Sequence, residues 1–137
     1  MSILSGLFGK PKNQVQPPAQ TQIDDHGVTI HFSLLQPALA GLSQEEAMKK
    51  VHALEDALSE DIAGIEGSIF DGNEFKISDD GRPEDCSLFF YGPDADALLD
   101  AMTPTLREVG YGPYDITKWY GNVVLHPDLE PVHSLLK

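Results

Sequence analysis

The chain has 137 residues, and its nine Lys and Arg face 22 Asp and Glu, for a net charge of −13. That length holds one domain with its own core and little else. A field of this sign repels phosphate backbones and anionic lipid, which excludes nucleic acid as a partner of the body and points to a basic protein or a cation.

The first 22 positions hold no acid, and they contain Lys10 and Lys12. Ile3, Leu4, Leu7 and Phe8 recur there at helical spacing, as in an interfacial or partner-docking helix. Gly6 and Gly9 interrupt the run, and nucleating so short a helix is costly, so a frayed end is the simpler expectation. Pro11 to Gln22, with three prolines, four glutamines and one aliphatic side chain, reads as a flexible linker. Charge follows the apolar residues instead of preceding them, unlike a secretory signal, and no stretch reaches the ~18 apolar residues of a membrane span. The expectation is a cytoplasmic protein that touches a membrane only through this tail, if at all. Residues 1–22 form the tail and linker, and residues 23–137 form one α+β domain of net charge −15.

From Gly27 the pattern changes. Val28, Ile30, Phe32 and Leu34 alternate with Thr29, His31 and Ser33, the period of a half-buried strand with His31 on its polar face. Ser43 and Glu46 have the spacing of a capping box. The helix they open carries Ala47, Val51, Leu54, Leu58 and Ile62 on one stripe, while Glu55, Asp56, Glu60 and Asp61 give it an acidic remainder. Four carboxylates near a helix C-terminus oppose its macrodipole.

Ile65 to Asp71 reads as a short strand, Asp71-Gly72-Asn73-Glu74 as a turn, and Phe75 to Ile77 as its return. Ser78 to Asp85 is polar and rich in Asp, Gly and Pro. Cys86 to Tyr91 is apolar nearly throughout, which predicts a central strand. Pro93, Asp94 and Asp96 suit a helix start. Leu98, Leu99, Met102, Leu106 and Val109 form the inner stripe of that second helix, Gly110 stops it, and Pro104 predicts a kink or break. A strand near Asp115 to Tyr120 completes a βαββαβ order. This predicts a ferredoxin-like two-layer sandwich, an antiparallel sheet with two helices on one face. Gly121 to Leu125 offers a fifth strand through a Gly-Asn turn.

Chemical motifs are scarce. Cys86 is the one cysteine, so no internal disulfide forms, and its apolar surroundings predict an inert thiol. Neither Asp71 to Lys76 nor Asp79 to Arg82 places oxygen ligands and Gly as a calcium loop requires. The five histidines lack metal-ligand spacing, and no nucleophile elbow, phosphate loop or dinucleotide fingerprint occurs. No catalytic residue, metal ligand or cofactor is assigned. Asp71, Asn73, Glu74, Tyr91, Asp94 and Asp96 remain as candidates for ligand or partner contact. In the expected topology the carboxylates around Asp71 and those around Asp94 lie at opposite ends of neighbouring strands, too far apart for one composite site.

Asp71-Gly72-Asn73-Glu74, followed by Leu88-Phe89-Phe90-Tyr91-Gly92-Pro93-Asp94-Ala95-Asp96-Ala97-Leu98, resembles the pattern of a group of small uncharacterised bacterial proteins. Lys118-Trp119-Tyr120-Gly121 is similar to the end of their last strand. The resemblance spans roughly residues 60 to 121 and implies a ferredoxin-like fold without an established activity.

Three functions are compatible with this sequence. The first is a non-catalytic protein-binding or regulatory module, immunity-protein-like by analogy, that engages a basic or β-strand partner. The second is a small-molecule-binding domain or enzyme that uses the open sheet face. The third is a peripheral membrane protein tethered by Ile3, Leu4, Leu7 and Phe8. A homodimer made by strand pairing is also compatible.

Overall fold

Alternation at the start of the domain sets the sheet. The structure, a computed structural model, describes residues 24–137. The tail expectations at Ile3, Leu4, Leu7 and Phe8 lie outside the described residues. The elements run β1 (His26–Ser33), α1 (Gln44–Ile62), β2 (Ile69–Ile77), β3 (Pro83–Gly92), α2 (Ala95–Val109), β4 (Tyr114–Trp119) and β5 (Val132–Leu136). All five strands join one antiparallel sheet in the order β2-β3-β1-β4-β5.

Period-two patterning decides which face the helices cover. Val28, Ile30 and Phe32 of β1, Cys86, Leu88 and Phe90 of β3, and Tyr114 and Ile116 of β4 are buried together with the helix stripes. Their alternates Thr29, His31, Phe89, Tyr91, Thr117 and Trp119 stay half-buried on the other face. The result is two layers, with α1 and α2 on one side of the sheet.

Helix α1 starts as the sequence predicts, whereas α2 starts at Ala95 behind an Asp94 cap, which leaves Pro93 just outside the helix and not in its first turn. Ser43 Oγ accepts from the Glu46 backbone N–H at 3.1 Å, and Glu46 Oε1 accepts from the Ser43 N–H at 3.0 Å. A cap of this kind contributes about 1 kcal/mol. The buried side of α1 carries Ala47, Val51, Leu54, Leu58 and Ile62. On α2, Asp94 caps the N-terminus and Gly110 ends the helix at φ 71°, the left-handed conformation that favours glycine.

Four expectations are corrected. Asp71 to Glu74 is not a hairpin turn: β2 runs through it, and the register shifts between Phe70 and Asn73. Gly72 sits at φ 110°, so the glycine that suggested a turn serves a bulge instead. The β2–β3 hairpin closes at Ser78 to Arg82, where Ser78 N–H donates to Arg82 O.

Gly121 to Leu125 is a turn, not a fifth strand. A Cβ at Gly121 would lie 3.1 Å from both Asp24 and His126, so this backbone packs closely against the entrance to β1. The fifth strand is Val132–Leu136, which pairs along β4.

Of the kink or break expected at Pro104, the break does not occur, since α2 continues to Val109. Pro104 is exposed, so water can satisfy the carbonyl it leaves without a donor. Thr103 Oγ1 donates to Leu99 O at 2.7 Å alongside it.

The fourth correction concerns Glu55, expected on the solvated side of α1. It is 8% exposed and faces the sheet.

Candidate functional site

The three candidates of the acidic segment do not converge. Asn73 pairs across to Leu88 on the helix side, and its Nδ2 donates to Glu55 Oε2 at 2.5 Å. This bond anchors the bulge to α1 and gives the buried carboxylate a partner, without which its burial would be costly. Glu74 pairs with Ser87 on the opposite, open face. Asp71 lies in the bulge, and partial burial pushes its carboxyl above the ordinary value. Ile69 pairs with Tyr91, so Asp71 is near the Tyr91 end of β3, not at the opposite end as expected.

Asp94 and Asp96 hold the start of α2. Asp94 Oδ1 accepts from the N–H groups of Asp96 and Ala97 at 3.0 and 3.2 Å. Asp96 Oδ1 accepts from Lys118 Nζ and Tyr120 Oη, each at 2.7 Å. The Lys118 bond, then the Tyr120 bond, holds the Asp96 carboxyl below its usual value. His26 Nδ1 accepts from the Ala95 N–H at 3.0 Å, and its ring meets Tyr120 edge-on. Asp94 therefore caps its own helix, Asp96 joins α2 to Lys118 and Tyr120 at the end of β4, and His26 joins β1 to α2. The Asp96 contact on β4 lies three strands from β2, roughly 14 Å by strand spacing. The two acidic groups are thus separate, though sheet order and not strand polarity separates them.

Tyr91 belongs to a different arrangement. Across the open face, the register aligns Ile69, Tyr91, Gly27 and Trp119 on four adjacent strands. Gly27 leaves a gap between two aromatic rings: a Cβ there would lie 3.3 Å from Tyr91 and 3.7 Å from Trp119. The gap opens into a groove of about 160 Å³, bordered by Asp25, Gly121, Asn122 and Val123 besides these three residues. Asp24 fastens its rim, accepting from the Asn122 N–H at 2.8 Å and bonding His126 Nε2 through its other oxygen at 3.0 Å. Those bonds, with His126 the stronger influence, hold the Asp24 carboxyl low.

A second hollow on the same face, of about 200 Å³, is lined by His31, Glu74, Phe75, Lys76, Asp85 and Ser87. Ser87 Oγ and His31 Nδ1 are 3.0 Å apart, while His31 Nε2 and Asp85 Oδ1 are 3.9 Å apart. The residue types are those of an acyl-transfer triad, but the geometry is not. At 3.9 Å the carboxylate makes no hydrogen bond that would fix the imidazole tautomer. The serine also lies in the run of an inner strand, paired on both sides, so no helix N-terminus or strained elbow follows it as in the hydrolase motif. The group works as a cross-strand polar pair on a solvated face.

Cys86 is fully buried, and burial, reinforced by Glu55, pushes its thiol up to about 12. It cannot serve as a nucleophile near neutral pH. Among the described residues no three His, Cys, Asp or Glu side chains are grouped to hold a metal ion. None of the described helices is long and apolar enough to cross a membrane.

Sequence reasoning named Tyr91 but missed Gly27, Asp25 and Trp119. Only register brings them together, since they lie on strands joined through both helices. One signal was legible: a glycine at the start of the otherwise well-patterned β1, where a close approach is a common cause. No family model, curated protein or solved structure matches the chain.

Proposed function

We propose that this protein is a non-catalytic binding module that takes a basic segment of a partner protein on its open sheet face. The observation that carries the reading is the groove between Tyr91 and Trp119, floored by Gly27 and bordered by Asp25. Two aromatic rings beside a carboxylate suit a planar guanidinium or an ammonium, which gains cation–π attraction and a counter-ion together. The net charge of −13 draws a basic partner toward the molecule from beyond contact range. Inhibition of a basic toxin, as by an immunity protein, is one form such binding takes.

For the fold we propose a ferredoxin-like arrangement. Supporting it, α1 links β1 to β2, a hairpin joins β2 to β3, and α2 links β3 to β4. The strand β5, added beside β4, extends that plan.

Trp119 is the single tryptophan, so its fluorescence reports on the groove directly. Titrating full-length protein with an Arg-rich peptide should change the emission and saturate, and the affinity should fall as salt rises. A glutamate-for-arginine version of the peptide should leave the emission unchanged. Gly27→Ala, which narrows the gap, should weaken binding at least about tenfold, the equivalent of ~1.4 kcal/mol. Unchanged emission with basic peptides at millimolar concentration would overturn the reading.

A further inference from the structure

The two edges of the sheet are built differently. The outer strand β2 carries Asp71, Glu74 and Lys76, and its register shifts twice, between Phe70 and Asn73 and between Lys76 and Ile77. Charges and bulges are the devices by which proteins stop an edge from pairing. The other outer strand, β5, has none of them. Its sequence Val-His-Ser-Leu-Leu holds no carboxylate, its pairing with β4 is regular, and Val132 and Leu135 are 46% and 53% exposed.

We propose that β5 pairs antiparallel with β5 of a second copy of this chain, joining two five-stranded sheets into one. Charge selects this occupant. A basic partner is drawn to carboxylates, and β5 offers none. Two copies that each carry −13 approach most readily where acids are fewest; β5 itself carries none, and the nearest on the sheet is Asp115, one strand inward and opposite Leu135. The strand also complements itself. With the two-fold axis at Ser134, Val132 faces Leu136, His133 faces Leu135 and Ser134 faces its own copy, so the four pairs beside the axis each include an apolar side chain and no carboxylates meet. The strand is five residues long, so the interface is small and the dimer dissociates on dilution.

This inference stands apart from the basic-partner reading, and salt separates the two. Screening weakens attraction to a basic peptide, but it relieves repulsion between like-charged copies. Sedimentation velocity of full-length protein across a wide concentration range, at low and high salt, should show a reversible monomer–dimer equilibrium that tightens with salt. Leu135→Glu places a carboxylate at the join and should raise the dissociation constant at least tenfold. Ile69→Glu, on the opposite edge strand, should leave it within twofold. Both positions are well exposed, so the fold tolerates either change, and Val132→Lys supplies a second variant on β5. A monomer under all conditions, or a dimer indifferent to both Leu135→Glu and Val132→Lys, would overturn the proposal.

Discussion

Cys86 shows how burial alone decides chemistry. Its thiol has lost water on all sides, and the charged Glu55 nearby further disfavours the thiolate, so the proton is held up to about 12 instead of 9.0. At pH 8 the thiolate is then about one molecule in ten thousand. A thiol reagent at that pH should modify Cys86 only as fast as the chain opens, with no fast phase in native protein. The same shift sets an alkaline limit. A group whose pKa is higher in the folded than in the unfolded chain stabilises the fold fully below its unfolded pKa. From pH 9 upward the unfolded chain loses its thiol proton while the folded one keeps it, so stability falls progressively toward pH 12. Burial also raises the Tyr114 hydroxyl, which adds loss in the upper part of that window. Urea melts of wild type and Cys86→Ala between pH 8 and 11 test this: Cys86→Ala starts less stable because it leaves a cavity, yet it should lose less with rising pH. Parallel curves would remove Cys86 as the cause.

At the scale of elements, α1 and α2 make a useful contrast. The last turn of α2 contains Arg107, while that of α1 contains no basic residue and ends among Glu60 and Asp61. Carboxylates at a helix C-terminus oppose the macrodipole. Glu60 is exposed and its side chain makes no hydrogen bond or ion pair among the described residues, so Glu60→Lys should stabilise the protein by about 0.5–1 kcal/mol, read as a higher urea midpoint at unchanged slope. The helices were legible in sequence because their signals are local: a capping box at Ser43 and Glu46, a capping Asp94, a stopping Gly110. The strands were legible only where alternation was long, as from Val28 to Phe32. Asp71-Gly72-Asn73-Glu74 was misread because a turn and a bulge demand the same residue, a glycine tolerant of positive φ. β5 was missed because five residues after Pro131 carry little period, and their partner β4 lies twelve or more residues back. Gly121 to Leu125 drew attention instead, being richer in β-branched side chains. The groove could not be read for a related reason: Gly27, Tyr91 and Trp119 acquire meaning only once β3, β1 and β4 are in register.

For the whole molecule, the excess of carboxylates acts on stability as well as on partners. Few attractive pairs offset it: Lys118 with Asp96 at 2.7 Å and Arg82 with Asp80 at 3.6 Å are the lysine and arginine ion pairs among the described residues. Folding brings 22 acids closer together than they stand in the unfolded chain, and their repulsion opposes the compact state. Added salt screens that repulsion, with a Debye length falling from about 30 Å at 0.01 M to about 10 Å at 0.1 M. It also weakens the two attractive pairs, of which Arg82 with Asp80 is exposed and worth little while Lys118 with Asp96 is partly sheltered from the screening. Repulsion has many more members, so the net sign is set by it. Raising sodium chloride from 10 to 200 mM should therefore raise the melting temperature, by about 3–5 °C if the screened repulsion is worth ~1 kcal/mol. Potassium chloride should act equally, because the effect follows ionic strength and not ion identity. Glu60→Lys should show a smaller rise than wild type, since it removes two units from the same repulsive sum. A melting temperature that falls with salt would mean that the attractive pairs dominate, and the acidic field would then lose its part in excluding anionic partners.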